Sequence, residues 1–192
     1  STADGRDIYY SLDLDRLREG YAAAATALHP GLLPTHPFLP ASPPFQISPP
    51  VRVLFLCTEN SARSQMAEGL LRHLAGDAIE VYSAGSQPTE IHPSAIRVLA
   101  HMGVDISQQH SKHVELFRDQ SFDTIVTVCD RMREECPTFP DTHELIHWSF
   151  PDPAAGEYRS EEEADAAFAL IAQQLVTRLR HLLVLLAAEH QQ

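Results

Sequence analysis

Lysine is almost absent from this chain of 192 residues, which carries only Lys112. Its 14 basic residues stand against 26 acidic ones, giving a formal net charge of -12, so it lacks the positive surface that binds nucleic acid or anionic membranes. No apolar run approaches the roughly 20 residues of a membrane span, and the first residues lack the apolar core of a signal peptide. We therefore expect a cytoplasmic protein that binds neither nucleic acid nor membrane.

Cysteine is also scarce, with three residues at positions 57, 129 and 136. An odd number of widely spaced cysteines does not make a disulfide scaffold. In a reducing compartment, free thiols are either buried packing residues or catalytic groups. Their sequence contexts must decide between the two.

Proline is distributed unevenly, because residues 30–50 carry eight of the 14 prolines. Such a stretch cannot continue a helix or a central strand and is typical of an extended linker. It divides the chain into a short head, residues 1–29, and a main domain, residues 51–192.

Strand and helix signals alternate through the main domain, which is typical of an α/β fold with a mostly parallel sheet. Such sheets carry their sites at the carboxyl ends of the strands. The capping pair Ser160 and Glu163 predicts the start of a long final helix. The predicted strands are residues 51–56, 79–83, 122–128 and 144–148. The predicted inward-facing helix residues are Met66, Leu70 and Leu74, then Ile96, Leu99 and Ala100, then Phe168, Ile171, Leu175, Leu179, Leu182 and Leu186.

Cys57 follows the first predicted strand, and a short loop leads from it to Arg63 and Ser64. The backbone N–H groups of such a loop, together with the following helix N-terminus, form a nest for a tetrahedral dianion. Arg63 can clamp two of its oxygens, and the positive field is expected to lower the pKa of Cys57 and make it a thiolate at neutral pH. Ser64 can donate to the sulfur. We predict Cys57 as the nucleophile, with an oxyanion site formed by Thr58, Glu59, Asn60, Ser61, Ala62 and Arg63.

Residues 53–71 resemble the low-molecular-weight protein tyrosine phosphatase superfamily, and Ser-Ala-Arg-Ser-Gln-Met-Ala-Glu-Gly is most similar to its thioredoxin-coupled arsenate reductase branch. The resemblance continues through residues 82–85, 103–107, 126–129, 136–137 and 148–154. It implies a three-layer α/β fold with a four-stranded parallel sheet. It also implies arsenate as substrate, phosphate or sulfate as analogues, and thioredoxin as partner.

The same resemblance implies roles for an acid and the other two thiols. Asp152, between two prolines, occupies the family's general-acid position, although an Asp beside proline is also a common turn residue. In the implied relay, Cys57 attacks arsenate, Cys129 attacks Cys57 and releases arsenite, and Cys136 then attacks Cys129. If residues 130–135 are helical, the last two thiols lie about 10 Å apart, too far for a disulfide until the segment unwinds.

A potassium site at Asn60, Glu68, Ser83 and Asp105 is also implied by the resemblance. Each of these residues has an ordinary alternative role, such as bonding the loop backbone, lying on a helix face or preceding a cap. No tightly bound cofactor is expected. The histidines show no zinc spacing, and His110 and His113 are interpreted as surface or loop residues.

Glu59 departs from the family pattern, which usually has glycine at this position, where the backbone approaches the anion. A carboxylate so close to Cys57 would repel the dianion or raise the pKa of the thiol. The alternative is that its side chain points into solvent.

The head resembles the last wing strand and C-terminal helix of arsenic-sensing winged-helix repressors, with a strand in residues 5–12 and a helix in residues 15–28. The chain would then be the C-terminal piece of a repressor–reductase fusion, without a recognition helix, and the head helix would pair two copies in a homodimer. A vector-derived or disordered N-terminus is the alternative.

Three functions remain open on the sequence. Arsenate reduction is favoured by Cys129, Cys136 and Ala154, which stands where phosphatases of this type usually carry a substrate-stacking tyrosine. A tyrosine phosphatase needs only Cys57 and Asp152. An oxyanion- or redox-sensing module of a repressor is the third interpretation, with Glu59 having weakened turnover.

Overall fold

The computed structural model describes residues 50–189. The predictions for the repressor-like head, for linker residues 30–49 and for a homodimer through the head helix fall outside the described residues, and they stay predictions.

Four parallel strands form the sheet in the order β2-β1-β3-β4. Their register pairs Cys57 with Gly85 and Leu56 with Thr127, so the carboxyl ends of the first three strands meet at one edge. Every residue of β1 is buried or half-buried, as expected for a central parallel strand covered on both faces. The predicted α/β fold is confirmed. The strands are β1 (Val51–Cys57), β2 (Ile79–Gly85), β3 (Thr124–Thr127) and β4 (Glu144–His147).

Three helices pack against one another, and the first of them also packs on β1 and β2: α1 (Arg63–Ala75), α2 (Pro93–His101) and α4 (Glu161–Glu189). The short α3 (Asp130–Glu134) follows β3. Helix α4 begins as predicted, with the Glu163 N–H donating to Ser160 Oγ at 3.3 Å. The return bond to the Glu163 carboxylate comes from the Arg159 N–H, at 2.8 Å, rather than from Ser160.

Helix α4 is long and apolar enough, by length and composition alone, to cross a membrane. Its apolar stripe is, however, buried within the domain, where the helix packs against α1 and α2. It is therefore the core helix of this fold. The stripe contains the predicted residues Phe168, Ile171, Leu175, Leu179, Leu182 and Leu186.

The inward face of α2 differs from the prediction. Ala100 is exposed and Ile96 is only half-buried, whereas Ala95, Val98 and Leu99 are buried. A nine-residue helix with small residues on several sides has little contrast between its faces. The sequence pattern therefore did not identify which residues of α2 are buried.

Aromatic rings cover the opposite face of the sheet. Ser83 reaches Glu68 on α1, so its neighbour Tyr82 points to the other face by strand alternation. The Tyr82 ring packs edge-on against Phe117 and Phe122, with centroids 5.6 and 5.7 Å away. Covering both faces in this way holds the carboxyl ends of the strands, where the predicted site lies, in fixed positions.

Candidate active site

The loop of residues 57–63, called here the Cys57 loop, turns its carbonyl groups outward. Thr58, Glu59 and Ser61 accept bonds of 2.8 to 2.9 Å from the N–H groups of Gln87, Thr89 and His92. The Asn60 carbonyl accepts from Ser111 Oγ at 2.6 Å. Each trans peptide points its N–H opposite to its carbonyl, so the N–H groups that follow face into the loop. They form a nest of donors suited to a tetrahedral anion.

Cys57 lies at the base of this nest and is only 3% exposed. The Asn60 N–H donates to its Sγ at 3.1 Å, and Ser64 Oγ lies 2.9 Å from the same sulfur. Because Asn60 Nδ2 donates to Ser64 Oγ at 2.8 Å, the Ser64 hydroxyl is free to donate its own hydrogen to the sulfur. The arrangement stabilises negative charge on Cys57.

The amide of Asn60 has a defined orientation because its Oδ1 accepts from the backbone N–H of Lys112 at 2.7 Å and from Gln65 Nε2 at 3.0 Å. A backbone N–H can only donate, so Oδ1 must face it. The amide nitrogen is thereby directed at Ser64 and Ser83, each 2.8 Å away. Sequence reasoning missed both Gln65 and Lys112 as supports of the loop.

Burial raises the pKa of the Cys57 thiol above its ordinary value, contrary to the expected lowering. Desolvation is the larger effect. The hydrogen bonds from Ser64 and Asn60 and the charge of Arg63 act in the opposite direction. The hydrogen bonds and the charge of the loop therefore favour the Cys57 thiolate, and burial of the sulfur disfavours it.

Arg63 begins α1, and its guanidinium spans from the loop to the segment that carries Asp152. Its Nη2 lies 2.6 Å from Asp152 Oδ2, and its Nη1 donates to the Phe150 carbonyl at 3.1 Å. Its Nε is buried and has no hydrogen-bond partner. A buried, unpaired N–H is costly, and a bound oxyanion would satisfy it.

Glu59 does not face the nest. The residue is exposed, and its carboxylate accepts from Ser61 Oγ at 3.4 Å. Within residues 50–189, the loop's one positive φ belongs to Asn60, at 50°, a conformation that asparagine tolerates. The loop therefore does not need glycine at position 59, and the solvent-facing alternative for Glu59 is the one that the structure shows.

Cys129 is buried beside the loop, with its Sγ 3.5 Å from Thr58 Oγ1. Cys136 is half-buried just beyond α3 and lies 3.6 Å from the Pro137 carbonyl, and desolvation raises the pKa of its thiol. Helix α3 has five residues, Asp130–Glu134. It is therefore one residue shorter than the helix over residues 130–135 that the sequence analysis considered. All three cysteines are free.

His147, at the end of β4, was not predicted to have a role. Its Nδ1 lies 2.8 Å from Thr127 Oγ1 and its Nε2 lies 3.0 Å from Asp130 Oδ1. It thereby links β3 to the first residue of α3, immediately after Cys129. His110 and His113 are exposed, as expected, and His113 caps a short 3-10 turn at Val114–Phe117.

Three of the four residues predicted to bind potassium lie together. Glu68 is buried and accepts from Ser83 Oγ at 2.5 Å, and Ser83 accepts from Asn60. Asp105, by contrast, is exposed and caps the Ser107 N–H at 2.8 Å. Two cationic side chains, those of Arg72 and Lys112, contact the Glu68 carboxylate.

Comparison with known proteins gives a consistent result. The profile of the family described as low molecular weight phosphotyrosine protein phosphatase matches residues 52–192. Arsenate reductases of Halalkalibacterium halodurans and Bacillus subtilis are each 38% identical over 128 residues, covering 67% of this chain and 91% of those proteins.

Solved structures agree with this match. An arsenate reductase in the phosphate binding state is similar with a TM-score of 0.57 and 30% identity, covering 70% of this chain and 97% of that one. The thioredoxin-dependent arsenate reductase of Corynebacterium glutamicum has a TM-score of 0.54 and 29% identity, covering 88% of this chain and 69% of that one.

Proposed function

Because this chain belongs to the low molecular weight phosphotyrosine protein phosphatase family, we propose that it uses the family's anion-binding loop to reduce arsenate to arsenite, with thioredoxin as the reductant. The observation that carries the proposal is the convergence of a buried anion nest with two further thiols. Cys129 lies against Thr58 of the loop, and Cys136 follows seven residues later. A phosphatase has no use for either thiol.

In the first step, the Cys57 thiolate attacks the arsenic of arsenate bound in the nest. An arsenic–sulfur bond forms, and an arsenic–oxygen bond breaks as Asp152, in its protonated form once the bound anion has taken over Arg63, gives its proton to the oxygen that leaves as water. Arg63 holds equatorial oxygens through its unpaired Nε and balances their charge. Its contact with Asp152 keeps the acid at the mouth of the nest.

In the second step, Cys129 attacks the sulfur of Cys57. The arsenic–sulfur bond breaks with its electron pair moving to arsenic, so that arsenic(V) becomes arsenic(III) and arsenite leaves. The two electrons come from the Cys57 and Cys129 sulfurs, which are oxidised to a Cys57–Cys129 disulfide. Cys136 then attacks Cys129, which releases the Cys57 thiolate and creates a Cys129–Cys136 disulfide for the thioredoxin dithiol to reduce.

Phosphate-ester hydrolysis is the second candidate, favoured by the family match and by the pairing of Cys57 with an acid. In that reaction Cys129 and Cys136 are passive. Ala154 supplies no ring to stack on an aryl substrate, so we expect any phosphatase activity to be residual. We propose a cytoplasmic location, because the relay needs thiols that a reducing compartment keeps free.

The test is arsenite release with thioredoxin, thioredoxin reductase and NADPH, beside hydrolysis of p-nitrophenyl phosphate. Cys57→Ser should abolish both activities. Cys136→Ser should release one arsenite per chain and then stop, with Cys57 and Cys129 joined. Repeated turnover of Cys136→Ser with thioredoxin would show that the relay is wrong. Activity in neither assay by the unchanged chain would instead support the oxyanion- or redox-sensing module.

A further inference from the structure

We propose that the ammonium group of Lys112 is a built-in cation for the Cys57 loop, bound to Glu68 where a potassium ion was predicted, so that this chain needs no metal ion at that site. The proposal rests on the proposed function only in that it concerns the same anion loop. Lys112 is a positioning residue here, because it acts on Cys57 through Glu68 and Asn60.

The charge of Glu68 is what a cation at this site must balance. The Glu68 side chain is 5% exposed, and it receives Lys112 Nζ at 3.2 Å and Arg72 Nη2 at 2.6 Å. A carboxylate so deeply buried is costly without a positive partner. The Lys112 side chain is 14% exposed and that of Arg72 is 50% exposed. Lys112 is therefore the less solvent-screened of the two cations.

Lys112 is joined to the loop through its backbone as well as its ammonium. Its N–H donates to Asn60 Oδ1 at 2.7 Å, and its carbonyl accepts from the Gly85 N–H at 2.9 Å. Its Nζ also donates to the His110 carbonyl at 3.0 Å. These contacts hold the ammonium between the carboxyl end of β2 and α1, beside the Glu68 carboxylate.

A directed hydrogen-bond chain connects this cation to the nucleophile. Glu68 can only accept when ionised, so Ser83 must donate to it and therefore accepts from Asn60 Nδ2. The same amide donates to Ser64, which leaves the Ser64 hydrogen for Cys57 Sγ. The charge on Glu68 thus fixes the Ser83 hydroxyl as its donor, and the Lys112 N–H fixes the Asn60 amide that continues the chain to Ser64.

The residues present do not fit a potassium ion. Potassium is a hard cation that requires several oxygen ligands, but the Glu68 oxygens are already used by Ser83, Arg72 and Lys112. The fourth predicted ligand, Asp105, caps Ser107 on an exposed turn. A metal ion beside Nζ would also be repelled by the ammonium. The predicted potassium site is replaced by the chain's one lysine.

The experiment compares Lys112→Met, which removes the ammonium but keeps a flexible side chain, with Lys112→Arg, which keeps the charge. The matched control is Arg72→Met, which removes the more exposed cation from the same carboxylate. All are made in a Cys129→Ser/Cys136→Ser background, so that Cys57 is the only thiol. The rate of Cys57 alkylation by iodoacetamide is measured against pH, with and without phosphate, in potassium chloride and in tetramethylammonium chloride of equal ionic strength.

We expect the parent and Lys112→Arg to behave alike in both salts. In tetramethylammonium, Lys112→Met should need about tenfold more phosphate for protection and should shift its alkylation midpoint upward by about one pH unit. Potassium should reverse much of this loss, since a small cation can enter the vacated space beside Glu68. Arg72→Met should change the phosphate requirement by less than about threefold and the midpoint by less than about half a pH unit, as for a solvent-screened pair.

Three outcomes would overturn the proposal: a parent whose phosphate protection improves in potassium, a Lys112→Met variant that matches the parent, or a loss that potassium does not reverse. Should Lys112→Met fail to fold by circular dichroism, Glu68→Gln/Lys112→Met also removes the buried carboxylate that has lost its ammonium partner. That variant should fold, bind phosphate more weakly and ignore potassium; parental binding or a potassium response would overturn the proposal. None of these measurements requires arsenate reduction, so its absence would count against the proposed function alone.

Discussion

The Arg63 guanidinium and the Asp152 carboxylate hold each other in the site, with Nη2 and Oδ2 2.6 Å apart. One belongs to the anion nest and the other to the segment that supplies the proton donor. Their contact joins two sides of the site that are 89 residues apart in the sequence. A bound anion must therefore share Arg63 with Asp152. A change in Asp152 is expected to alter anion binding by Arg63 as well as proton donation.

Asp152→Asn should separate these two effects. Without the proton donor, the turnover number for arsenate should fall by about 10²- to 10⁴-fold. Phosphate should bind at least as tightly as before, because Arg63 no longer shares its charge with a carboxylate. Coupled thioredoxin assays and phosphate inhibition constants measure the two quantities, with exposed Asp119→Asn as the control. A variant that loses phosphate affinity along with turnover would show that Asp152 builds the nest rather than donating the proton.

The pH dependence of the first step should follow the pKa of Cys57, which burial raises. The thiolate is the nucleophile, so the rate of Cys57 alkylation should increase with pH up to that pKa and level off above it. Ser64 lowers this pKa, and Ser64→Ala should therefore move the midpoint to higher pH and reduce the rate at pH 7 by about threefold to tenfold. Alkylation of Cys57 against pH reports the midpoint directly, and exposed Ser107→Ala should leave it in place. A downward shift would contradict the assigned direction of the Ser64 hydrogen bond.

Much of the fold and the loop was predictable because the relevant signals are local. Buried parallel strands are visible as apolar runs, and the predicted bounds of all four lie within two residues of the observed ones. The sequence of Cys57, Arg63 and Ser64 between a strand and a helix likewise indicates an anion loop without any knowledge of distant contacts.

The remainder depends on contacts between distant segments. Lys112 approaches Glu68 from 44 residues away, and His147 approaches Asp130 from 17 residues away. No local pattern marks either residue. The direction in which the pKa of Cys57 shifts could not be predicted from the sequence either, because desolvation depends on how completely the rest of the domain covers the loop. Asp105 was placed in an ion site by resemblance alone, and in the structure its carboxylate caps the Ser107 N–H.

Gly85 is a position where the loop tolerates no side chain. A Cβ there would lie 2.5 Å from the Thr58 carbonyl and 2.9 Å from both the Asn60 nitrogen and the Cys57 carbonyl. All three are backbone atoms of the loop, so Gly85→Ala should displace the nest and weaken phosphate binding by roughly tenfold or more, since carbonyl positions set the N–H directions.

Gly103→Ala is the matched control, because its Cβ would meet open space and only its φ of 83° is strained. It should lower the free energy of unfolding by about 1–2 kcal/mol without changing phosphate affinity. Chemical denaturation and phosphate protection of Cys57 measure the two effects. Equal phosphate affinity in Gly85→Ala and the parent would mean that the loop can shift without losing its donors.

The contact between His147 and Asp130 should restrain the segment that carries Cys136. Asp130 begins α3, and bonds from Ser149 and then His147 lower the pKa of its carboxyl. A lowered carboxyl pKa means that this restraint is complete above the ordinary pKa of aspartate and is lost as pH falls through the lowered value. Asp130→Ala removes it at all pH values. We expect faster hydrogen exchange in residues 130–136 and faster transfer of the disulfide from Cys57–Cys129 to Cys129–Cys136, because the segment must unwind for Cys136 to attack.

The two steps up to arsenite release should be unchanged in Asp130→Ala, since the Cys57 loop keeps its contacts. Single-turnover arsenite release measures these two steps together, and trapping of free Cys57 afterwards measures the transfer. Exposed Glu134→Ala, on the same short helix, is the control for helix propensity. If both variants accelerate the transfer equally, the stability of α3 itself sets the rate and the His147 contact does not. If neither does, unwinding does not limit the relay, and the attack of Cys136 on Cys129 or the reduction by thioredoxin must be slower.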